Sequence, residues 1–270
     1  MKKLAFLFIP AIIIACGGES NEHDSDNTDT ITDTTSTDTL SFEDTLTIEV
    51  DPNRPVIDVE KLLAKAKKTY ELPLVIDSAF VSQFTEEEVP DKYNLTRKEA
   101  QFLSFDMLAN NSTEMASYDI DNFIKIDSIK KEGDWDEYQS TLDLGMTRYS
   151  VANVIGKVEL SDISQLLLWT TDYATYEACP YGYGTCVFAT LFTKNTAINT
   201  ALVGEYSGGG DPPVWGVTKI EGEITADKIT LTGLTQFGDE DYETGEETIE
   251  TTDIKAEVNI TPTELSAGEE

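Results

Sequence analysis

VANVIGKVEL (151–160), QLLLWTTDY (165–173) and TCVFATLFT (185–193) are the stretches whose reading decides the fold. Each is a run of β-branched, aromatic and aliphatic residues of strand length, set off from the next by a few turn-forming residues. The pattern continues through Ala197–Ser207, Gly216–Thr225, Lys228–Phe237 and Thr248–Thr261, with turns expected at Lys194-Asn195 and Ala226-Asp227. Leu142, Leu144 and Met146, alternating with polar residues, open the series. No helical stretch separates the runs. Parallel strands need a crossover of a dozen or more residues, so the spacing predicts an antiparallel meander. The polar alternation leaves one face of the sheet in solvent. The expected fold class is mainly β, or α+β: a sandwich or partly closed barrel with two or so helices at its N-terminal side. No internal repeat of the propeller or solenoid kind is present.

Working outward, residues 51–141 read as the mainly helical part of the domain, 142–265 as its β part and 266–270 as a tail. Asp58 is placed to cap a helix over Val59–Tyr70, with Val59, Leu62, Leu63, Ala66 and Tyr70 on one face. Lys61, Lys65 and Lys68 on its other face form the basic cluster of the chain, read as a solvated face rather than a partner patch. Leu72–Ile76 is a short strand. Thr96-Arg97-Lys98-Glu99 is a capping box opening a second helix through Phe102, Leu103 and Leu108 towards Asn110-Asn111.

The chain carries 19 Lys+Arg against 51 Asp+Glu, a net charge of −32. Nucleic-acid binding draws its affinity from Lys and Arg on phosphates, so no nucleic-acid partner is expected. Met1 to Cys16 reads MKKLAFLFIPAIIIAC: two lysines, then an apolar run. That run reaches roughly 18 Å, short of the ~30 Å hydrocarbon core, and predicts a signal peptide over residues 1–15. Ile13-Ile14-Ala15-Cys16 resembles the lipobox of bacterial prolipoproteins. The resemblance implies diacylglycerol on the Cys16 sulfur, cleavage after Ala15 and stable membrane attachment through two or three acyl chains. Gly17, where an Asp would favour inner-membrane retention, implies delivery to the outer membrane, at the periplasmic face or the cell surface. Loss of Lys2 and Lys3 with the signal peptide takes the charge from −32 to −34. Residues 17–50 hold ten acidic residues and no Lys or Arg, which predicts a disordered, self-repelling tether. Lipobox, tether and strand pattern together resemble the acidic, β-rich surface lipoproteins of Bacteroidetes-type bacteria. In that group the general O-glycosylation sequon is Asp, Ser or Thr, then a small or aliphatic residue. It is matched at Asp29-Thr30-Ile31, Asp33-Thr34-Thr35, Asp38-Thr39-Leu40 and Asp44-Thr45-Leu46, making Thr30, Thr34, Thr39 and Thr45 candidate sites.

Catalytic signals are scarce. The single His, His23, lies in the tether, so histidine-based triads and HExxH zinc sites are absent from the domain. No phosphate-binding glycine motif occurs. An Asp/Glu hydrolase stays open as the alternative, because the carboxylates are too many for any pair to stand out. Asp239, Asp241, Glu243 and Glu250 imitate calcium-loop spacing, but Gly245 is one place late and an acidic hairpin turn is the preferred reading. No metal and no cofactor are expected. Lipidation of Cys16 leaves Cys179 and Cys186, expected to pair around Pro180, Gly182 and Gly184 for about 2.5 kcal/mol. Two unpaired thiols or a soft-metal site are the alternatives. Tyr173, Tyr176, Tyr181 and Tyr183 cluster within eleven residues and suggest a contact surface for a glycan or another envelope protein. Packing along a hairpin is the plainer use of the same tyrosines. The function expected is a non-catalytic, lipid-anchored binding module, with a ligand-free structural lipoprotein as the remaining option.

Overall fold

The computed structural model describes residues 51–86, 93–109, 113–132, 147–175, 181–241 and 243–268. The chain divides into Met1–Leu46 and Thr47–Glu270, and every described residue belongs to the second unit. Cys16, His23, the four tether threonines, Tyr176, Cys179 and the Leu142–Met146 alternation lie outside the described residues. No described helix is long and apolar enough to cross a membrane.

The long strands are β3 (Thr147–Glu159), β4 (Ser164–Thr175), β5 (Tyr181–Thr193), β6 (Thr196–Asp211), β7 (Val214–Ile224), β8 (Lys228–Glu240) and β9 (Glu247–Ile260). Each pairs antiparallel with its successor in sequence. The fold is therefore mainly β, an antiparallel meander. Short strands complete a ten-stranded sheet: β1 (Thr69–Tyr70) on β3, β2 (Leu74–Ile76) on β7 and β10 (Leu265–Ala267) on β9. The outer strands β1 and β10 do not pair with each other, so the sheet is open. Among the described strand pairings the β1–β3 pairing is parallel and the rest are antiparallel. The β5–β6 reversal at Lys194-Asn195 has both residues at positive φ, 48° and 63°, as a tight two-residue hairpin requires.

The helical side differs from the sequence reading. The helix expected over Val59–Tyr70 is only α1, Val59–Leu63, and the chain then turns into β1. Lys68 O accepts from Lys157 N and the Tyr70 ring lies over Gly156, so edge pairing overrides the helical pattern. Lys65 is not a free surface charge. It donates to both Glu99 carboxylate oxygens at 2.6 Å and to Asn94 O at 2.7 Å, while Lys68 sits over the Tyr70 ring. After the short helix α2 (Ser78–Val81), the Thr96–Glu99 capping box opens α3, which stops at Leu103 rather than near Asn110. Beyond it Met107 bridges to Thr200, and Leu108 N donates to Thr200 O. Helix α4, Glu114–Glu132, went unanticipated. It lies against β3, β4, β5 and β6.

The N-terminal half of β6 pairs with β5 but not with β7, which leaves a row of backbone groups to be satisfied. Thr200 N donates to Asp106 O at 2.9 Å, the buried Arg54 guanidinium donates to Ala197 O and to Ile198 O at 2.9 Å, and the Asn199 side chain bonds the Leu265 backbone in both directions. Arg54 also pairs with Asp106 at 2.8 Å and lies over the Phe102 and Phe105 rings. In the core, Trp169 stacks on Phe188 at 4.3 Å and its indole N–H donates to Thr190 Oγ1 at 2.9 Å.

Candidate binding surface and buried acid cluster

Strand register places the candidate surface. Residues directly opposite one another in a ladder project to the same face. One row across β5–β9 is Tyr181, Gly210, Trp215, Gly238 and Ile249; the next is Tyr183, Gly208, Val217, Gln236 and Thr251. A third runs from Tyr206 on β6 through Lys219 and Leu234 to Asp253. All three share one face. The Tyr181 and Tyr183 rings meet at 5.7 Å and those of Tyr183 and Tyr206 at 6.2 Å, tilted by 43° and 46°. Tyr181 and Tyr206 are 40% and 41% exposed, and Ile249 49%. Tyr183 and Trp215 are half-buried.

Glycine seats two of these rings. A Cβ at Gly208 would lie 2.7 Å from the Tyr183 hydroxyl, and one at Gly238 would overlap the Trp215 indole. Each ring therefore lies close over bare backbone. The Trp215 indole N–H donates to Glu247 Oε1 at 2.9 Å, which fixes the ring's rotation. Lys219, next to Tyr206 in register, is tied to Glu221 at 3.1 Å. Burial, then the neighbouring Tyr206 hydroxyl, pushes the Tyr183 phenol above its ordinary value.

Of the tyrosines expected at a surface, Tyr181 and Tyr183 are there and Tyr173 is not. Tyr173 is 1% exposed on the opposite face, between the Tyr118 ring at 5.9 Å and the floor made by Gly182 and Gly184. Tyr206 and Trp215 were missed. Alternation of Tyr181 and Tyr183 with Gly182 and Gly184 was the available signal, since period-two aromatics beside period-two glycines mark a strand. Gly208-Gly209-Gly210, beyond the Ala197–Ser207 run read from the sequence, belong to β6.

Behind the sheet, α4 closes over a cluster of acids. Thr171, Cys186 and Glu205 stand side by side on β4, β5 and β6. Ser150 Oγ donates to Asp119 Oδ1 at 3.1 Å, and Thr113 Oγ1 donates to Glu205 Oε2 at 2.5 Å. Asp119 and Glu205 are 0% and 1% exposed. Burial pushes both carboxyls up, with repulsion from Asp172 adding to the effect at Asp119. Among the described residues, Asp119 Oδ2 and the Thr171 hydroxyl have no hydrogen-bond partner. Asp172 lies on the other face, accepting from Thr185 Oγ1 at 2.6 Å and Glu86 N at 3.0 Å. Burial pushes it up to about 6. Raised carboxyls are what an acid catalyst would use, but all three are sealed from solvent.

The structure lends no support to the Cys179–Cys186 bridge. Cys186 is a free, fully buried thiol raised above its ordinary value by burial and by Glu205. Gly182 and Gly184, expected to make a tight reversal, instead continue extended β5 from Tyr181. The calcium-like loop is the β8–β9 hairpin turn, where Asp241 Oδ1 accepts from Glu243 N and Thr244 N and Gly245 has φ 69°. Among the described residues no group of three metal-ligating side chains converges. No family model matches the chain, and no match is found among curated proteins or solved structures.

Proposed function

We propose that this is a lipid-anchored envelope protein whose folded domain is a non-catalytic glycan-binding module. The Tyr181–Tyr183–Tyr206–Trp215 face carries the reading: tyrosine and tryptophan offer wide amphipathic faces at small cost in side-chain entropy, and such faces stack on sugar rings. Hydroxyl, amide and carboxylate groups of Thr251, Gln236 and Glu247 lie on the same face on β8 and β9, beside Trp215 on β7, and offer hydrogen bonds. The lipobox at Cys16 and the acidic spacer support display of this domain away from an outer membrane, possession of two or three acyl chains being enough for stable anchoring. Sealing of Asp119, Asp172 and Glu205 beneath packed elements favours binding over hydrolysis.

The test is affinity electrophoresis of the purified chain, as Cys16→Ser, through gels containing polysaccharides of different classes. Retardation, abolished in the Tyr183→Ala/Trp215→Ala double variant, is the expected result. Release of reducing sugar from the same polysaccharides would turn the reading towards a hydrolase.

A further inference from the structure

Building on the binding reading above, we infer that the ligand is an uncharged polysaccharide lying across β5, β6 and β7, and that Gly208 and Gly238 determine recognition by setting the height of the rings that grip it. Charge points to the ligand class. Around the rings the face presents Glu221, Glu247 and Asp253; Lys219 is engaged by Glu221, and exposed Lys255 stands on β9, four strands from β5 and one row beyond Tyr206. A uronate or sulfate on a chain crossing β5, β6 and β7 would meet like charge there, where the cation Lys219 is already paired, in a protein of net charge −32. The rings do not box a cation either. Successive planes are tilted by 43° and 46° at 5.7 and 6.2 Å, an open, twisting row and not a cage. Such a row suits a twisted neutral chain whose sugar faces turn with the sheet.

The glycines give the row its form. In a strand an ordinary side chain would stand roughly perpendicular to the sheet and lift a ring laid across it. At Gly238 a methyl would displace the Trp215 indole and strain its bond to Glu247; at Gly208 it would push the Tyr183 ring outward. Strand glycines ordinarily weaken a sheet, so two placed directly beneath half-buried rings have a local use. Tyr183 and Trp215 lie on strands two apart, about 10 Å across the sheet, so one chain can engage both.

The experiment compares the Cys16→Ser chain with its Gly238→Ala, Trp215→Ala, combined Gly238→Ala/Trp215→Ala and Tyr206→Ala variants. Gels contain a neutral glucan, mannan or xylan, an anionic polygalacturonate, or cationic chitosan. Retardation by a neutral polysaccharide, little changed by salt, is expected. Gly238→Ala and Trp215→Ala should each weaken it about tenfold, and the combined variant should lose no more than Trp215→Ala alone, because both act through one ring. Tyr206→Ala, at an exposed position, should weaken binding severalfold with no change in thermal unfolding. If Gly238→Ala fails to fold, Gly208→Ala tests the glycine seat through Tyr183, with a loss of binding expected and unchanged binding overturning it. Retardation by the anionic or cationic polymer alone overturns the neutral-chain inference and leaves the glycan-binding reading intact. Retardation by none overturns both. Wild-type binding by a folded Gly238→Ala overturns the role of the glycine seat.

Discussion

Replacing Asp172 with Asn should make the domain more stable at neutral pH and flatten its dependence on pH. Asp172 is 3% exposed, and burial raises it from 3.8 to about 6 despite hydrogen bonds from Thr185 and Glu86. A carboxyl whose folded value is raised contributes stability that is complete below the unfolded value and is lost as pH climbs through the folded one. A rise from 3.8 to about 6 corresponds to about 3 kcal/mol withheld at pH well above 6, with somewhat over 1 kcal/mol of that falling between pH 5 and 7. Asn keeps the local bonds. Its oxygen can accept from Glu86 N, and its amide can donate to Thr185 Oγ1, whose own proton then turns to Thr85 Oγ1 at 2.7 Å. Urea unfolding followed by tryptophan fluorescence from pH 5 to 7.5 measures the effect. Below that window Glu99, held below its usual value by Lys65 and Thr96 in spite of burial, acts in the opposite direction. Wild type should gain stability on acidification from pH 7 to 5, as Asp119 and Glu205 push the same way. The difference between wild type and Asp172→Asn reports the Asp172 carboxyl together with its repulsion on Asp119, since repulsion across the acidic surface is common to both. Parallel pH profiles for the two proteins, or a wild type that weakens towards pH 5, would refute the reasoning.

Arg54→Met should cost about 2–3 kcal/mol, because it strips the donors from Ala197 O and Ile198 O and the ion pair from Asp106; chemical denaturation reads this directly, and a loss under 0.5 kcal/mol would remove Arg54 as the edge clamp. Cys16→Ser should abolish metabolic labelling with an alkyne fatty acid and leave the signal peptide uncleaved; undiminished label contradicts the lipobox reading. Mature protein denatured without reductant should show two alkylatable thiols, with Cys186 unreactive until the fold opens, whereas none would restore the disulfide with Cys179. Protein from the native host should exceed the mass of polypeptide plus lipid, and alanine at Thr30, Thr34, Thr39 and Thr45 together should remove the excess.

The strands were legible because local chemistry and tertiary packing agree along them. Ser164–Thr175 is buried on both faces around Leu166–Trp169, since the sheet is covered on both sides there, and no helical reading competes. Val59–Tyr70 shows the opposite case. Its helical pattern is real, yet two residues of edge pairing against Lys157 and Val158 decide the second half. A short helix has little propensity to oppose such contacts. The capping box at Thr96 held because it involves only backbone and side chains within one turn, but the length of α3 depends on where β6 needs a partner.

The sequence by itself determined strand order, the β5–β6 reversal and the acidic character of the surface, because each follows from neighbours a few residues apart or from composition. The candidate site depended on the fold. Tyr173 and Tyr183 differ by one face of one hairpin, and a tyrosine-rich segment does not announce which of its rings will be buried. Tyr206 and Trp215 join Tyr181 and Tyr183 through register across three strands, and Gly208 and Gly238 gain meaning from the rings above them. Asp119, Asp172 and Glu205 are likewise ordinary acids among 51 until α4 and the strands close over them. Burial and cross-strand pairing act between residues distant along the chain, so only the folded sheet could select these few from the many that look the same.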